Sequence, residues 1–168
     1  MTRHIVIGEG PNLPKETALD DFWAEARAAV PELSDDHQVR SIGIDEETTG
    51  LIMKFINAGT KVGTFSLPWM MEAEGYPETK PGTPIILTAY DGTPQAVIRI
   101  GRTWNTTFGN ISENETRLDG PPVQDLNVWK PLHREYWNGL MSKYGKRCTD
   151  DMPIIVEPFE LVYSASKS

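Results

Sequence analysis

A lysine and two hydroxyl residues follow a predicted helix end at Gly59. Lys61 comes two residues after this glycine, and Thr64 and Ser66 follow on the predicted strand. A lysine held at such a corner is partly desolvated, which favours the neutral amine and makes it usable as a base. A hydroxyl is a weak nucleophile until a base activates it, so a Lys61–Thr64 pair is chemically sensible.

The same residues also fit a simpler interpretation, in which Lys61 is a solvated side chain at the start of a strand. In a fully extended segment, Lys61 and Thr64 would point to opposite faces. Chemistry between these two side chains therefore requires the turn at Gly59 to continue past Lys61.

Aromatic and basic residues around this motif are candidates for ligand contact. Trp69 and Tyr76 are predicted to lie in the loop after the lysine strand, where they either stack on a base or pack in the core. Arg99, on a central predicted strand, can reach a phosphate or a carboxylate. His133 is expected to be a structural histidine on the last helix. We therefore predict Ser66, Trp69, Tyr76 and Arg99 as substrate contacts.

The composition restricts the class of partner. The chain has 168 residues and a formal net charge of −8. Long duplex nucleic acid is bound mainly through Lys and Arg, so a small ligand or a few nucleotides fits this acidic chain better. Cys148 is the only cysteine, so no internal disulfide can form. No Cys or His pair has metal-ligand spacing and no cofactor motif is present, so we expect neither a metal nor a cofactor.

The organisation of the chain is predicted to be simple. Its length fits one domain, with an N-terminal arm and helix over residues 1–40 packed on a main domain over residues 41–168. The first apolar run is too short for a signal peptide, and no segment is long enough to span a bilayer. We therefore expect a cytoplasmic protein.

Two helices are predicted before the lysine. The first covers residues 17–29, with Thr17 as its N-cap. The second covers residues 46–58, with Asp45 as its N-cap and Gly59 as its left-handed stop. Between them, residues 34–40 form a polar connection.

The middle and the end of the chain predict a sheet and one more helix. Asp91-Gly92 is predicted to be a hairpin turn, and the one closing strand is predicted to have a bulge or bend at Pro158. The apolar face of the last helix includes Leu132 and Tyr136. This order of elements predicts an α+β fold with a mainly antiparallel, strongly curved sheet. The predicted strands cover residues 62–67, 84–90, 95–104, 154–156 and 159–163, and the helix covers residues 127–144.

Several motifs in a fixed order resemble those of the ASCH domains, which are relatives of the PUA-like RNA-binding fold. The resemblance covers most of the chain from about Ser41 onward. It implies a small β-barrel or curved antiparallel sheet flanked by helices, with a pocket at its mouth. The motifs are Gly59-x-Lys61-x-x-Thr64 after a helix, Ala73-Glu74-Gly75, Lys80-Pro81-Gly82, the Asp91-Gly92 hairpin, Gln95-Ala96-Val97-Ile98-Arg99, Trp129-x-x-x-His133-x-x-Tyr136-Trp137 and Phe159-Glu160-Leu161-Val162.

The resemblance also implies a function, with RNA or a modified nucleoside as the partner. Members of the family resemble RNA-cleaving enzymes or amidohydrolases of N4-acetylcytidine, and others have been proposed as RNA-binding modules. In the amidohydrolase members a threonine is the nucleophile, a lysine is the base and a glutamate assists, which gives these roles to Thr64 and Lys61. The resemblance thus implies a ribonuclease-like hydrolase, with an N4-acylcytidine amidohydrolase and a non-catalytic RNA-binding module as alternatives.

The glutamate of the family has no equivalent at its expected position. Relatives have the segment Glu-Gly-Glu-Gly-Asp before the last helix, whereas this chain has Asp119-Gly120-Pro121-Pro122-Val123. Pro121 occupies the place of the central glutamate. Asp119 is the nearest remaining carboxylate and is the predicted third catalytic residue. Asp125 either contacts the substrate or only caps the helix.

Overall fold

The computed structural model of the chain describes residues 4–7, 12–43 and 45–165. It divides into two compact units: the first takes its residues from the ranges 1–59, 80–101 and 159–168, and the second from the ranges 60–79 and 102–158. In chain order, the elements of the described residues are β1 (Ile5–Ile7), α1 (Glu16–Ala29), β2 (Gln38–Ser41), α2 (Glu46–Asn57), β3 (Gly63–Ser66), α3 (Pro68–Glu74), β4 (Pro84–Thr88), β5 (Pro94–Ile100), β6 (Trp104–Thr107), α4 (Glu113–Thr116), α5 (Leu126–Ser142) and β7 (Pro153–Ser164).

The first unit is built on a mixed sheet with the strand order β1-β2-β4-β5-β7. β1, β2 and β4 run parallel, and β5 is antiparallel to both of its neighbours. Ile86 packs in a cluster with residues of α1, and Ile85 and Leu87 pack in a second cluster with residues of α2. Because β4 is covered on both faces, its sequence is a continuous apolar run rather than an alternating one.

The predicted N-cap and the predicted left-handed stop of α2 are both confirmed. Asp45 Oδ1 accepts a hydrogen bond of 2.6 Å from the amide of Thr48, and Gly59 has a φ of 76°. The predicted cap of α1 is wrong. The N-cap is Lys15, which makes no side-chain capping bond, and Thr17 lies inside the helix.

The prediction for residues 34–40 is also wrong, because β2 begins at Gln38. Arg40 donates from Nε and Nη2 to Gln38 Oε1, at 3.1 and 2.9 Å. The two polar side chains therefore hydrogen-bond to each other while they are buried, which offsets part of the cost of placing them in this strand.

A histidine pair joins the segment before β1 to the segment before β2. His37 Nδ1 donates to the Asp35 carbonyl at 2.7 Å, and its ring stacks on Trp23. Because a carbonyl oxygen only accepts, His37 Nε2 accepts from His4 Nδ1, at 2.8 Å. His4 Nε2 in turn lies 2.6 Å from Asp20 Oδ1. A proton added to His37 would break this chain, because two donors would then face each other.

We expect the free energy of unfolding to fall as the pH drops below about 6.5. Burial lowers the pKa of His37 from its ordinary value, so the unfolded chain binds a proton more readily than the folded one. The contribution of His37 to the free energy of unfolding is therefore complete above pH 6.5. It is lost on acidification, by at most about 1.4 kcal/mol per pH unit for one histidine. Urea denaturation at pH 7.5, 6.5 and 5.5 measures the slope. His37→Gln should reduce it, and a wild-type stability that is constant over this range would contradict the prediction.

The second unit places β3 and β6 on either side of the first half of β7. Helix α5 covers one face of these strands, with Trp129, Trp137 and Met141 in a single apolar cluster. The predicted closing strand is confirmed as β7, which is continuous through Pro158; β3 pairs with it up to Pro158, and β5 pairs with it from Phe159 onward. The segment after β3 forms α3 and is not the predicted loop.

The apolar face of α5 is narrower than its periodicity predicts. Leu132 and Tyr136 are exposed, so their predicted place on the buried face is wrong. None of the helices in the described part of the chain is long and apolar enough to span a membrane.

Candidate functional site

Lys61 forms a buried ion pair with Asp119 in the second unit. The Lys61 Nζ atom lies 2.8 Å from Asp119 Oδ1 and donates a second bond of 2.8 Å to the Gly63 carbonyl. Lys61 is 6% exposed and Asp119 is 7% exposed. Two buried opposite charges that also satisfy each other's hydrogen bonds make a site without net charge.

The carboxylate of Asp119 is held from two further directions. Oδ1 also accepts from the Gly120 amide at 3.0 Å, and Oδ2 accepts from Trp129 Nε1 at 3.2 Å. Lys61 uses two of the three N–H bonds of an ammonium group with partners among the described residues. The pair therefore keeps one donor on Lys61 and one lone pair on Asp119 Oδ2 for a guest molecule.

A glycine in β3 brings Asp119 to Lys61. The Val62 amide donates to the Leu118 carbonyl at 2.8 Å, so the segment that ends at Asp119 lies directly against the strand. A Cβ atom at Gly63 would be 2.7 Å from Leu118 Cβ. Position 63 is therefore restricted to glycine by the close approach of the segment that carries Asp119.

We expect Gly63→Ala to displace Leu118 and to lower the free energy of unfolding by about 1–3 kcal/mol, the usual cost of overpacking. The displacement should also lengthen the Lys61–Asp119 contact and weaken any ligand binding there. Thermal or urea denaturation measures the first effect.

Gly50→Ala is the matched control, because nothing lies within 4 Å of the added Cβ atom in α2. This control should raise stability by about 0.5–1 kcal/mol, since alanine favours a helix more than glycine does. Equal effects of the two variants would show that the contact with Leu118 is not restrictive.

Aromatic rings surround the buried side of the pair. His133 stacks on Trp129 with ring centroids 4.0 Å apart, and Phe65 meets Trp129 edge to face at 5.1 Å. His133 Nδ1 donates to the Trp129 carbonyl at 2.8 Å. Burial lowers the pKa of His133, while the charge of Asp119 acts in the opposite direction. Neutral His133 consequently presents Nε2 as an acceptor.

Thr64 lies apart from these rings. Phe65 points toward Trp129, and neighbouring residues of a strand point to opposite faces, so Thr64 points to the other face of β3. No hydrogen bond joins it to Lys61 within the ranges that the structure describes. On that face Ser66 Oγ donates to Glu157 Oε2 at 3.1 Å.

The other predicted contact residues lie in different surroundings. Trp69 is half-buried in α3, with Lys146 Nζ 5.0 Å from its ring centroid, and Tyr76 is half-buried just after this helix. Asp125 caps α5 by accepting from the Asn127 amide at 2.9 Å. Arg99 belongs to the first unit, where it forms an ion pair of 2.7 Å with Glu160.

Two residues of this region were not predicted as functional. Glu157 is fully buried, and its only signal in the sequence is a carboxylate in the otherwise apolar run Ile154 to Phe159. Trp129 was predicted from its helical spacing, which says nothing about its hydrogen bond to Asp119. Among the residues that the structure describes, no three His, Cys, Asp or Glu side chains are grouped so that they could hold a metal ion.

Comparison with known proteins gives the family of the chain. The family model described as the ASCH domain matches residues 40–163. A search of curated protein sequences gave no significant match.

Two solved structures share the fold. A crystal structure of an ASCH domain from Lactobacillus crispatus has a TM-score of 0.80 at 22% identity, covering 88% of this chain and 96% of that one. A protein from Enterococcus faecalis has a TM-score of 0.79 at 18% identity, covering 91% and 93%. The predicted α+β, PUA-like fold is thus confirmed. Since the family model matches well over half of the sequence, the chain belongs to the ASCH domain family.

Proposed function

We propose that this ASCH domain binds RNA or a modified nucleoside at the Lys61–Asp119 pair. The observation that carries the proposal is the remaining hydrogen-bonding capacity of the pair, one donor on Lys61 beside one acceptor on Asp119 Oδ2. The edge of a nucleobase offers an acceptor next to a donor and fits such a pair.

The charge of the site supports a base rather than a phosphate as the recognised group. Asp119 neutralises Lys61 at 2.8 Å, which leaves no net positive charge to attract a phosphate. The chain as a whole carries a net charge of −8, which disfavours a long polyanion. A nucleoside, or one unstacked base of an RNA, therefore suits the site best. Trp69 and Tyr76 remain predicted contacts of this ligand, as do Ser66 and Asp125.

Titration of the protein with single compounds tests this function. The panel is cytidine, N4-acetylcytidine, uridine, adenosine and guanosine, with a short oligoribonucleotide beside them. A ligand present at about 100 times its Kd should stabilise the fold by about 2.7 kcal/mol, which appears as a rise in Tm. Lys61→Met should abolish the rise. A panel in which no compound raises Tm would end the proposal.

Hydrolysis of the bound compound is the second candidate, and the state of Thr64 favours it. Its hydroxyl is half-buried and has no hydrogen-bond partner among the described residues, so it is available to react. Thr64 would be the nucleophile of an amidohydrolase acting on an acylated base. A ribonuclease-like reaction would instead use Lys61 and Asp119 at the bound nucleotide. In either case Lys61 must first lose the proton that it shares with Asp119 if it is to act as a base.

Product analysis separates these reactions from binding alone. Incubation with N4-acetylcytidine and with the oligoribonucleotide, followed by chromatography, should release acetate from the first or fragments from the second. A ligand that binds tightly and is recovered intact after long incubation would instead support a non-catalytic module.

A further inference from the structure

His133 has a hydrogen-bonding atom that the protein itself does not use. Its Nδ1 atom donates to the Trp129 carbonyl at 2.8 Å, so Nε2 of the neutral ring is an acceptor. No group of the described residues donates to Nε2. Among those residues, Trp23 Nε1 is the one side-chain nitrogen or oxygen that is enclosed without a partner, so His133 Nε2 reaches the surface. A molecule from solution can therefore bond to this nitrogen.

The ring of Trp129 connects His133 with the Lys61–Asp119 pair. Trp129 is fully buried, and its Nε1 atom donates to Asp119 Oδ2 at 3.2 Å. The face of the same ring stacks on His133, with the ring centroids 4.0 Å apart and an angle of 18° between the planes. One rigid indole ring therefore positions both Asp119 and His133, so neither side chain has to be ordered when a ligand binds.

The electrostatics of His133 also link it to the pair. The charge of Asp119 acts on the pKa of His133 upward and the charge of Lys61 acts on it downward, because both groups lie near the ring. Burial is the largest influence and lowers this pKa. The ring is consequently neutral near pH 7, and Nε2 keeps its lone pair.

The three side chains together offer a ligand one donor and two acceptors. The donor is the third N–H bond of Lys61, and the acceptors are Asp119 Oδ2 and His133 Nε2. An exocyclic amino group carries two N–H bonds, and a ring nitrogen beside it carries one lone pair. Cytosine presents this edge as N4 and N3, and adenine presents it as N6 and N1. Uracil offers a single N–H bond, which would leave one of the two acceptors without a partner.

We propose that His133 is a binding residue that selects a base with an exocyclic amino group. One N–H bond of the amino group goes to His133 Nε2 and the other goes to Asp119 Oδ2, while Lys61 donates to the neighbouring ring nitrogen. This inference rests on the proposed function and narrows its ligand to nucleosides of the cytidine and adenosine type. The selectivity arises because an acceptor that is covered by a ligand without a matching donor loses its bond to water.

Matched pairs of nucleosides test this selection. Cytidine is compared with 2-pyrimidinone riboside, which is cytidine without its amino group, and adenosine is compared with purine riboside, which differs in the same way. Isothermal titration calorimetry at pH 7.5 gives the Kd of each compound. In the wild type we expect each amino compound to bind about 10- to 100-fold more tightly than its partner, because the missing group leaves acceptors unpaired.

His133→Phe removes the acceptor and keeps an aromatic ring over Trp129. We expect the preference for the amino compounds to fall by about tenfold, with little change in the Kd of 2-pyrimidinone riboside. His133→Gln places an amide oxygen near the position of Nε2 and should keep much of the preference, although it loses the stacked ring. An undiminished preference in His133→Phe would overturn the inference, and so would wild-type protein that binds cytidine and 2-pyrimidinone riboside equally well.

A packing variant separates selectivity from stability. Phe108 is fully buried, and the centroid of its ring lies 6.0 Å from that of Trp129. Phe108→Leu should therefore lower Tm but leave the ratio of the two Kd values as it is in the wild type. If Phe108→Leu lost the preference to the same extent as His133→Phe, a general disturbance of the Trp129 packing would explain the loss, and His133 would not be the selecting residue.

Failure of the proposed function gives a different result from failure of this inference. The free bases cytosine and 2-hydroxypyrimidine are titrated beside the nucleosides. Nucleoside binding that is lost in Lys61→Met but does not depend on the amino group would keep the function and remove the role of His133. Binding of cytosine but not of 2-hydroxypyrimidine, in a protein that binds no nucleoside, would keep the recognition of the amino group and remove the nucleoside. Absence of binding by all of these compounds would overturn both.

Discussion

Lys61→Met is expected to lower the free energy of unfolding by about 3–5 kcal/mol, the cost of breaking a buried ion pair from one side. The methionine fills most of the lysine volume, so the loss comes from the Asp119 carboxyl group, which stays buried but loses its cation at 2.8 Å. The Gly120 amide and Trp129 Nε1 still donate to it, and they only partly replace the lysine. Urea denaturation near neutral pH measures the difference.

The double variant Lys61→Met, Asp119→Leu shows whether the loss is electrostatic. Removal of both charges should recover most of the stability, because a buried pair replaced by apolar residues of similar size is often neutral. Lys54→Met on the exposed side of α2 is the control and should change stability by no more than about 0.5 kcal/mol. A single variant as stable as wild type would show that the lysine is solvated, as the simpler interpretation of the sequence holds.

Much of the fold could be predicted because its signals are local. Asp45 and Gly59 define the ends of α2 through hydrogen bonds and backbone angles that involve only nearby residues. Strand β2 could not be found in this way, because Gln38 and Arg40 look like loop residues until their mutual hydrogen bond is known. Leu132 was misplaced since periodicity gives the direction of the apolar face of a helix but not its width.

The candidate site was predictable only in part. Asp119 was predicted from the family resemblance as the third catalytic residue, but its contact with Lys61, 58 residues away in the sequence, was not predicted. No spacing rule gives such a contact, which depends on how Leu118 crosses β3 at Gly63. Glu157 could not be recognised at all, because its position opposite Thr64 is a property of strand register.

Asp119→Asn is expected to weaken nucleoside binding by about 10- to 150-fold, the value of a hydrogen bond of about 1.5–3 kcal/mol to a charged group. An amide can accept from Lys61 through its oxygen, but its NH₂ group then faces Trp129 Nε1, so two donors oppose each other. The variant also leaves Lys61 without a counter-charge. Calorimetric titration with cytidine and with cytidine 5′-monophosphate, at two salt concentrations, measures both effects.

The loss of the counter-charge of Lys61 distinguishes recognition of a base from recognition of a phosphate. In the wild type the neutral pair gives the phosphate little advantage, so the two ligands should bind with similar affinity and weak salt dependence. In Asp119→Asn the uncompensated ammonium should favour the monophosphate over cytidine, and salt should reduce that preference. Asp45→Asn at the N-cap of α2 is the matched control, because asparagine caps a helix as well as aspartate does. If wild-type protein already prefers the monophosphate strongly and loses that preference in salt, Lys61 acts as a phosphate contact, and the charge-balanced recognition of a base is wrong.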